Sequence, residues 1–413
     1  MTRTVSDSDS VRRLNRGLVL GALRLHGAQS RTALASLTGL SHASMTAITS
    51  DLLLQGMVGE SEAPRPDGRS RGRPATLLSF TRKAAHAALI EIDVNRALFS
   101  LIDYAGVLVD RIDYALDPST FDKTPPVAFL AERLDLLKSR TPEAQSTLRR
   151  IAISVQGILD PDGEGLRWSP IQHFAGTPVA AGLAAEEKLP VTLHKRGRLL
   201  AEGARLLDPS LHDASVATVF IGSTVAMGMT FKDQIVGRGG EGATEFGHMN
   251  HLPVGALCRC GKRGCIEAYA ADYAVLRNAY SVPDTTPPAL AVPAQQYEML
   301  MQRAESGDRA AAHAFNVAGR AVGFGLSRLL SFYDPSHILI VGPGAKAMEL
   351  MRGEIEQAIK SSLVGSINGL PVIRAHHDES EPIYRGLLMK TLNDIDQADF
   401  APLSSSERVG PPA

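Results

Sequence analysis

The chain has 413 residues, of which 44% are hydrophobic and 21% charged, with a formal net charge of −1, as is normal for a soluble globular protein. That length is too great for one ordinary core, so two or three domains are expected. No stretch approaches the ~18 consecutive apolar residues of a membrane span, and the polar N-terminus lacks the apolar segment of a secretory signal, so the expected location is cytoplasmic. The near-zero total hides an asymmetry. Residues 1–83 hold 12 Lys+Arg against 6 Asp+Glu, a net of +6, while the remainder holds 31 against 38, a net of −7. A basic segment on an acidic body points to an anionic partner for the N-terminal part.

In chain order, residues 1–9 are polar and read as disordered. From Val11 to about Leu25, Leu14, Leu18, Ala22 and Leu25 recur at helical spacing. Ser30 caps a short helix carrying Leu34 and Leu37, which Gly39 stops. Ser41 caps a third helix with Met45, Ile48 and Leu52 on its inner face, ended by Gly56. Met57–Glu60 and Ala75–Phe80 read as two strands around a Pro/Gly/Arg-rich loop. Three helices and a hairpin predict a winged helix-turn-helix over 10–80. After a junction at 81–86, strands alternate with helices: 89–93, 97–103 and 107–110 as a meander, a helix at 127–138, a strand at 150–155. A second half of similar order opens with strands 218–222 and 227–231 and closes with a helix at 305–332 and a strand at 338–341. This alternation is α/β, and the domain is bounded at 86–395. The Ser/Pro/Gly-rich residues 396–413 read as a disordered tail.

With Met45, Ile48 and Leu52 inward, the third helix turns Ala43, Thr46, Ala47 and Ser50 outward, small and uncharged as a helix in a DNA major groove can be. His42 and Ser44 stand on its first turn, within reach of base edges or phosphates. Ser41 and Arg31 are candidate phosphate contacts. The hairpin loop carries Arg65, Arg69, Arg71 and Arg73, suited to the negative potential of a narrow minor groove. A protein-interaction module with a solvated basic loop is the alternative to a DNA-binding domain.

The three cysteines, Cys258, Cys260 and Cys265, lie within eight residues, which argues for metal over disulfides. With His248 they match a structural zinc site that leaves no open coordination position. Such a clip would hold Glu245 and Glu267 near each other, two carboxylates suited to sugar hydroxyls.

The stretch Gly242-Ala-Thr-Glu-Phe-Gly-His248 through Gly261-Lys-Arg-Gly-Cys-Ile-Glu-Ala-Tyr269 resembles the signature of the ROK family, bacterial sugar-responsive repressors and sugar kinases of the actin-like ATPase fold. The resemblance implies a two-lobed, sugar-kinase-like domain behind the winged helix, which is what the repressor branch carries. Departures separate the branches. The kinases' first phosphate loop, Asp-x-Gly-Gly-Thr, reads Asp93-Val-Asn-Arg-Ala97 here, and the second, Gly-Thr-Gly-x-Gly-x-Gly, reads Gly222-Ser-Thr-Val-Ala-Met-Gly228. Only glycine lets a backbone close on phosphate freely. The family's Asn-Asp pair, which holds the kinases' catalytic base, falls in Leu189-Pro-Val-Thr-Leu-His-Lys195, where His194 takes its place. The adenosine-side loop is partly kept as Gly342-Pro-Gly344. A family Pro-Asn reads Pro170-Ile171. These changes predict a non-enzymatic regulator whose effector, a sugar or sugar derivative, contacts Glu245, His248 and Glu267, joined by Ser169, His194, Gln172 and His173. Paired half-sites on DNA further imply a homodimer or tetramer. A sugar kinase with an accessory DNA-binding domain, and a sensor read by a protein partner, are the rival readings.

Overall fold

The computed structural model describes residues 5–62, 76–117, 119–232, 234–236, 245–376 and 380–400. The N-terminal unit is α1 (Val5–His26), β1 (Gln29–Ser30), α2 (Arg31–Thr38), α3 (His42–Leu54), β2 (Val58–Glu62) and β3 (Thr76–Phe80), with the strands in antiparallel order β1-β3-β2. Local chemistry sets the boundaries. The Ser30 hydroxyl accepts from Ala33 N–H at 3.1 Å and the Ser41 hydroxyl from Ser44 N–H at 3.2 Å, so each of the two helices starts on a side-chain cap. Gly39 ends α2 at φ 70°, a left-handed position that glycine occupies without a Cβ penalty.

Two terminal expectations are corrected. The polar run that reads as disordered is helical from Val5 onward. At the other end residues 395–399 form a turn of π-helix packed on the body, so the chain stays ordered past residue 395. Helix α1 also buries a different stripe from the one its leucines suggest. Arg16, Val19, Leu20 and Leu23 face inward, while Val11, Leu14, Leu18 and Leu25 are exposed. A helix apolar on two sides can bury only one against its own chain.

The body is two lobes of like topology. In the first, β4 (His86–Ile92), β5 (Arg96–Asp103) and β6 (Leu108–Ala115) form an antiparallel meander. It is extended beyond β4 by two parallel strands, β7 (Leu148–Val155) and β8 (Val191–Lys195), in the order β8-β7-β4-β5-β6. Helices α4 (Pro126–Arg140) and α5 (Val179–Glu187) share a core with one face of this sheet. Helix α6 (Arg196–Leu207) then leads to the second lobe. There β9 (Val216–Ile221), β10 (Val225–Phe231) and β11 (Gln234–Ile235) repeat the meander. Helix α7 (Arg309–Leu329) leads to β12 (His337–Val341), and α8 (Met348–Lys360) to β13 (Val372–His376), in the order β11-β10-β9-β12-β13. The chain ends on α9 (Ser380–Asp394).

Central strands are buried on both faces, so β4 and β9 read as continuous apolar runs, whereas edge strand β6 alternates. Helices α6 and α9 cross in very close contact. A Cβ on Gly203 would lie 1.8 Å from the Pro382 carbonyl oxygen, and one on Gly386 2.3 Å from that of Leu199. Among the described residues no helix is long and apolar enough to cross a membrane.

Candidate functional site

Three places gather chemistry-bearing groups: the outer face of α3, the cysteine loop, and the cleft between the lobes. On α3, Met45, Ile48, Thr49 and Leu52 are buried, while His42, Ala43, Thr46, Ala47 and Ser50 are exposed and Ser44 is half-buried. Thr46 turns its hydroxyl back onto the His42 carbonyl at 2.9 Å, and the Ser41 and Ser44 hydroxyls lie 3.0 Å apart. Arg31 is committed within the unit: Nε donates to Thr49 Oγ1 at 3.0 Å and Nη2 to Glu60 Oε1 at 2.7 Å. Arg65, Arg69, Arg71 and Arg73 lie outside the described residues.

In the cysteine loop, the ligand atoms of His248, Cys258, Cys260 and Cys265 all lie within 4.8 Å of one another. His248 Nδ1 stands 3.8 Å from Cys258 Sγ, and Cys260 Sγ 3.7 Å from Cys265 Sγ. A tetrahedron with metal–sulfur arms of about 2.3 Å has edges of roughly 3.7–3.8 Å, so the donor set has the spacing of a four-coordinate site. Hydrogen bonding from Cys258 and Cys265 holds the Cys260 thiol far below its ordinary value. The loop's tight turns place Gly261 at φ 79° and Gly264 at φ 83°.

The cleft cavity is bordered by Gln156 and Trp168 from the first lobe, Lys195 and Arg196 at the start of α6, and Glu245, His248 and Glu267 from the second. It holds about 50 Å³, room for a few ordered waters. Lys195 Nζ donates to Glu245 Oε1 at 2.6 Å. Glu267, on the short helix Glu267–Ala270, is fully buried and accepts from Val225 N–H at 3.2 Å. Burial raises its carboxyl above the ordinary value despite His248 nearby. The His248 ring stands edge-on to Trp168, centroids 5.0 Å apart. Behind the cavity, Asp93 accepts from Arg196 Nη1 at 2.9 Å and from Ser223 Oγ at 2.8 Å, joining both lobes. Burial acts to raise the Asp93 carboxyl, but Arg196 and Ser223 outweigh it and hold it below its usual value.

Four expected contacts fall elsewhere. His194 is buried behind the strand, its Nε2 3.1 Å from Thr192 Oγ1, and takes no part in the cavity wall. Side chains alternate along β8, so the residue next to it, Lys195, emerges at the strand's C-terminal end. Ser169 is buried, donating to the Gln156 carbonyl at 3.0 Å, and its neighbours Trp168 and Pro170 form the wall instead. His173 pairs with Asp122 at 2.8 Å on the surface, and Gln172 is also absent from the wall. The sequence reading missed Gln156, Lys195 and Arg196. A one-residue shift in placing the Asn-Asp slot would have exposed the two basic residues.

A further cluster joins the N-terminal unit to the body. Arg24 of α1 makes a bidentate ion pair with Asp396 at 2.6 and 3.0 Å, and Tyr104 donates to the same carboxylate at 2.6 Å. The guanidinium lies over the Phe80 ring at 4.7 Å.

Comparisons with known proteins agree with this architecture. The family model described as "ROK family" matches residues 90–388. The xylose repressor of Bacillus subtilis is 23% identical over 372 residues, covering 89% of this chain and 93% of its own. The DNA-binding transcriptional dual regulator NagC of Escherichia coli is 26% identical over 408 residues, covering 94% of each. The crystal structure of a ROK family transcriptional regulator, a homologue of the E. coli MLC protein, superposes with a TM-score of 0.70 at 21% identity, covering 94% of this chain and 100% of the other. With the duplicated α/β lobes of the actin-like, sugar-kinase-like fold and a family match over most of its length, the chain belongs to the ROK family.

Proposed function

We propose that the protein is a DNA-binding transcription repressor whose cleft senses a carbohydrate or related effector. The observation that carries this reading is α3: a side-chain-capped helix, buried on one face and presenting His42, Ala43, Thr46, Ala47 and Ser50 on the other. It sits in a unit of three helices and a three-stranded sheet that also includes a segment rich in arginine. Residues 10–80 are the winged helix-turn-helix and 86–395 the sensor. The relatives' names, a xylose repressor and a DNA-binding regulator, support the same reading.

In this account α3 enters the major groove, with His42, Ser44 and Thr46 toward base edges and Arg71 and Arg73 in the adjacent minor groove. Zinc held by His248, Cys258, Cys260 and Cys265 would supply a closed structural clip beside the cleft. With Nδ1 turned to the thiols, the other ring nitrogen of His248 remains for the effector. Phosphoryl transfer is not part of the reading. Asp93 is engaged by Arg196 and Ser223, and both phosphate loops lack their central glycines. A second copy of the chain completes it, since paired half-sites need a two-fold and α1 leaves Val11, Leu14, Leu18 and Leu25 exposed along one face.

Signal transfer has a continuous path. The cleft wall begins α6, α6 packs on α9 through Gly203 and Gly386, and Asp396 just after α9 holds Arg24 of α1. An effector that favours one lobe arrangement thereby biases the position of the N-terminal unit. The test is a binding-site selection on the full-length protein and on an Arg71→Ala/Arg73→Ala variant across a salt series. The expected outcome is a two-fold related site for the wild type. The variant should bind every sequence more weakly, with a shallower salt dependence. Failure of the wild type to enrich any duplex would remove the DNA-binding reading.

A further inference from the structure

From the cleft wall we infer that the effector is an anionic carbohydrate, its carboxylate or phosphate group held by Gln156, Lys195 and Arg196 at the N-terminal end of α6. The inference rests on the effector-sensing reading and narrows it to a ligand class. Where the family resemblance expects an Asn-Asp pair, the chain reads His194-Lys195-Arg196, and the last two border the cavity. This stretch has no carboxylate, and two cations follow His194. Each cation already faces a carboxylate, Lys195 on Glu245 and Arg196 on Asp93, so an incoming anion shares or displaces these partners.

Independent features of the wall point to the same ligand chemistry. Gln156 is 7% exposed and borders the cavity, yet neither Nε2 nor Oε1 has a hydrogen-bond partner. Arg196, 5% exposed, has its Nε unpartnered while Nη1 is fixed on Asp93 and the guanidinium lies 4.9 Å from the Phe220 ring centre. Buried polar groups are left unpaired only at a cost, so the Gln156 amide, which borders the cavity, is arranged for a ligand partner. Helix α6 runs for twelve residues from Arg196 with no side chain capping its N-terminus. Its leading amides and dipole favour an anion at that spot. The Lys195 ammonium has three donors, of which Glu245 takes one. The rest of the wall is different in kind: Glu245, Glu267 and the second nitrogen of His248 suit hydroxyl groups. One end of the cavity is therefore built for an anion and the other for a polyol.

The Lys195–Glu245 pair also bridges the lobes across the cavity. An anionic ligand offers Lys195 a replacement partner for Glu245.

The experiment is calorimetric titration and thermal shift on the full-length, metal-loaded protein. The probes are uronic acids, aldonic acids and hexose 6-phosphates of gluco, galacto and manno configuration, beside their neutral parents and inorganic phosphate. At least one acidic sugar is expected to bind about tenfold or more tightly than its neutral parent, and to weaken with added salt. Preference for the uronic or aldonic acids assigns a carboxylate, and preference for the 6-phosphates a phosphate ester. Lys195→Met should reduce that binding by roughly tenfold or more with metal content and thermal midpoint retained. Gln156→Leu, close in shape, should weaken it without loss of fold. Neutral sugars binding as tightly as their acids, or acid binding unchanged in Lys195→Met, would overturn the inference and leave carbohydrate sensing intact. Inorganic phosphate matching every acidic sugar would overturn it as an adventitious anion site. Silence from all acidic probes also overturns it, while the DNA-selection experiment still reports separately on the regulator reading.

Discussion

The cysteine loop and the junction between α1 and the body both bring reactive or charged side chains together, yet they are assembled in opposite ways. All four candidate metal ligands come from residues 248–265, and two glycines at positive φ fold that stretch back on itself. The junction draws Arg24, Tyr104 and Asp396 from the two ends of the chain and the first lobe. A local cluster can form with little of the fold around it. A long-range one exists only when both lobes and the N-terminal unit are in place, because loop closure over such separations must already have been met. The first acts as an anchor that the fold is built around. The second reports whether the parts are correctly docked, which is the property a signalling joint requires.

The largest expected effect breaks the local side. Cys260→Ser should lose bound zinc, measured by elemental analysis, and leave the second lobe unfolded or strongly destabilised. Structural sites of this kind contribute on the order of 10 kcal/mol of apparent binding energy. A variant that keeps stoichiometric metal and wild-type stability would mean the loop is held by its packing alone. On the long-range side, Arg24→Met should cost about 3–5 kcal/mol in urea unfolding, since it removes the bidentate partner of buried Asp396 and leaves Tyr104 as its hydrogen-bond donor with Arg16 nearby. Arg24→Met with Asp396→Leu should recover part of that loss. Equal losses in the single and double variants would show that the ion pair is incidental.

His194 offers a third, pH-dependent probe of long-range assembly. Burial pushes its imidazole down to about 4 from an ordinary value near 6.5, with Lys390 of α9 adding to the effect. A base with a depressed folded-state pKa contributes stability that is fully present above about 6.5 and is lost as pH falls toward 4. Between pH 7 and 5 the wild type should therefore lose about 2 kcal/mol that His194→Gln does not lose. Parallel pH profiles for the two proteins would place His194 in contact with solvent. The smallest effect is again local: Ser41→Ala removes the cap on α3 and should lower stability of the N-terminal unit by about 1 kcal/mol, read by hydrogen exchange on α3.

The same division separates what was legible in the sequence from what was not. The caps at Ser30 and Ser41, the stop at Gly39 and the inward set Met45, Ile48 and Leu52 lie where periodicity and capping rules put them. The cluster of His248 with three cysteines also needs only spacing and chemistry to be read. Each depends on interactions within a few residues, which a sequence states directly. The burial of Arg16 and the exposure of Leu14 and Leu18 were not legible, because α1 has two apolar faces and only its neighbours select one. Nor was the role of Asp396, which composition alone assigns to a polar tail but which Arg24 and Tyr104 hold in place. In the cleft, a single position along β8 turned His194 into the core and brought Lys195 and Arg196 to the cavity wall. Most of the elements, the grouping of His248 with the three cysteines, and the family resemblance were legible in the sequence. The tertiary structure decided which faces are buried, where the chain ends meet, and which side chains border the cleft, because strand register and helix docking depend on partners distant in the chain, β7 for β8 and Asp396 for Arg24.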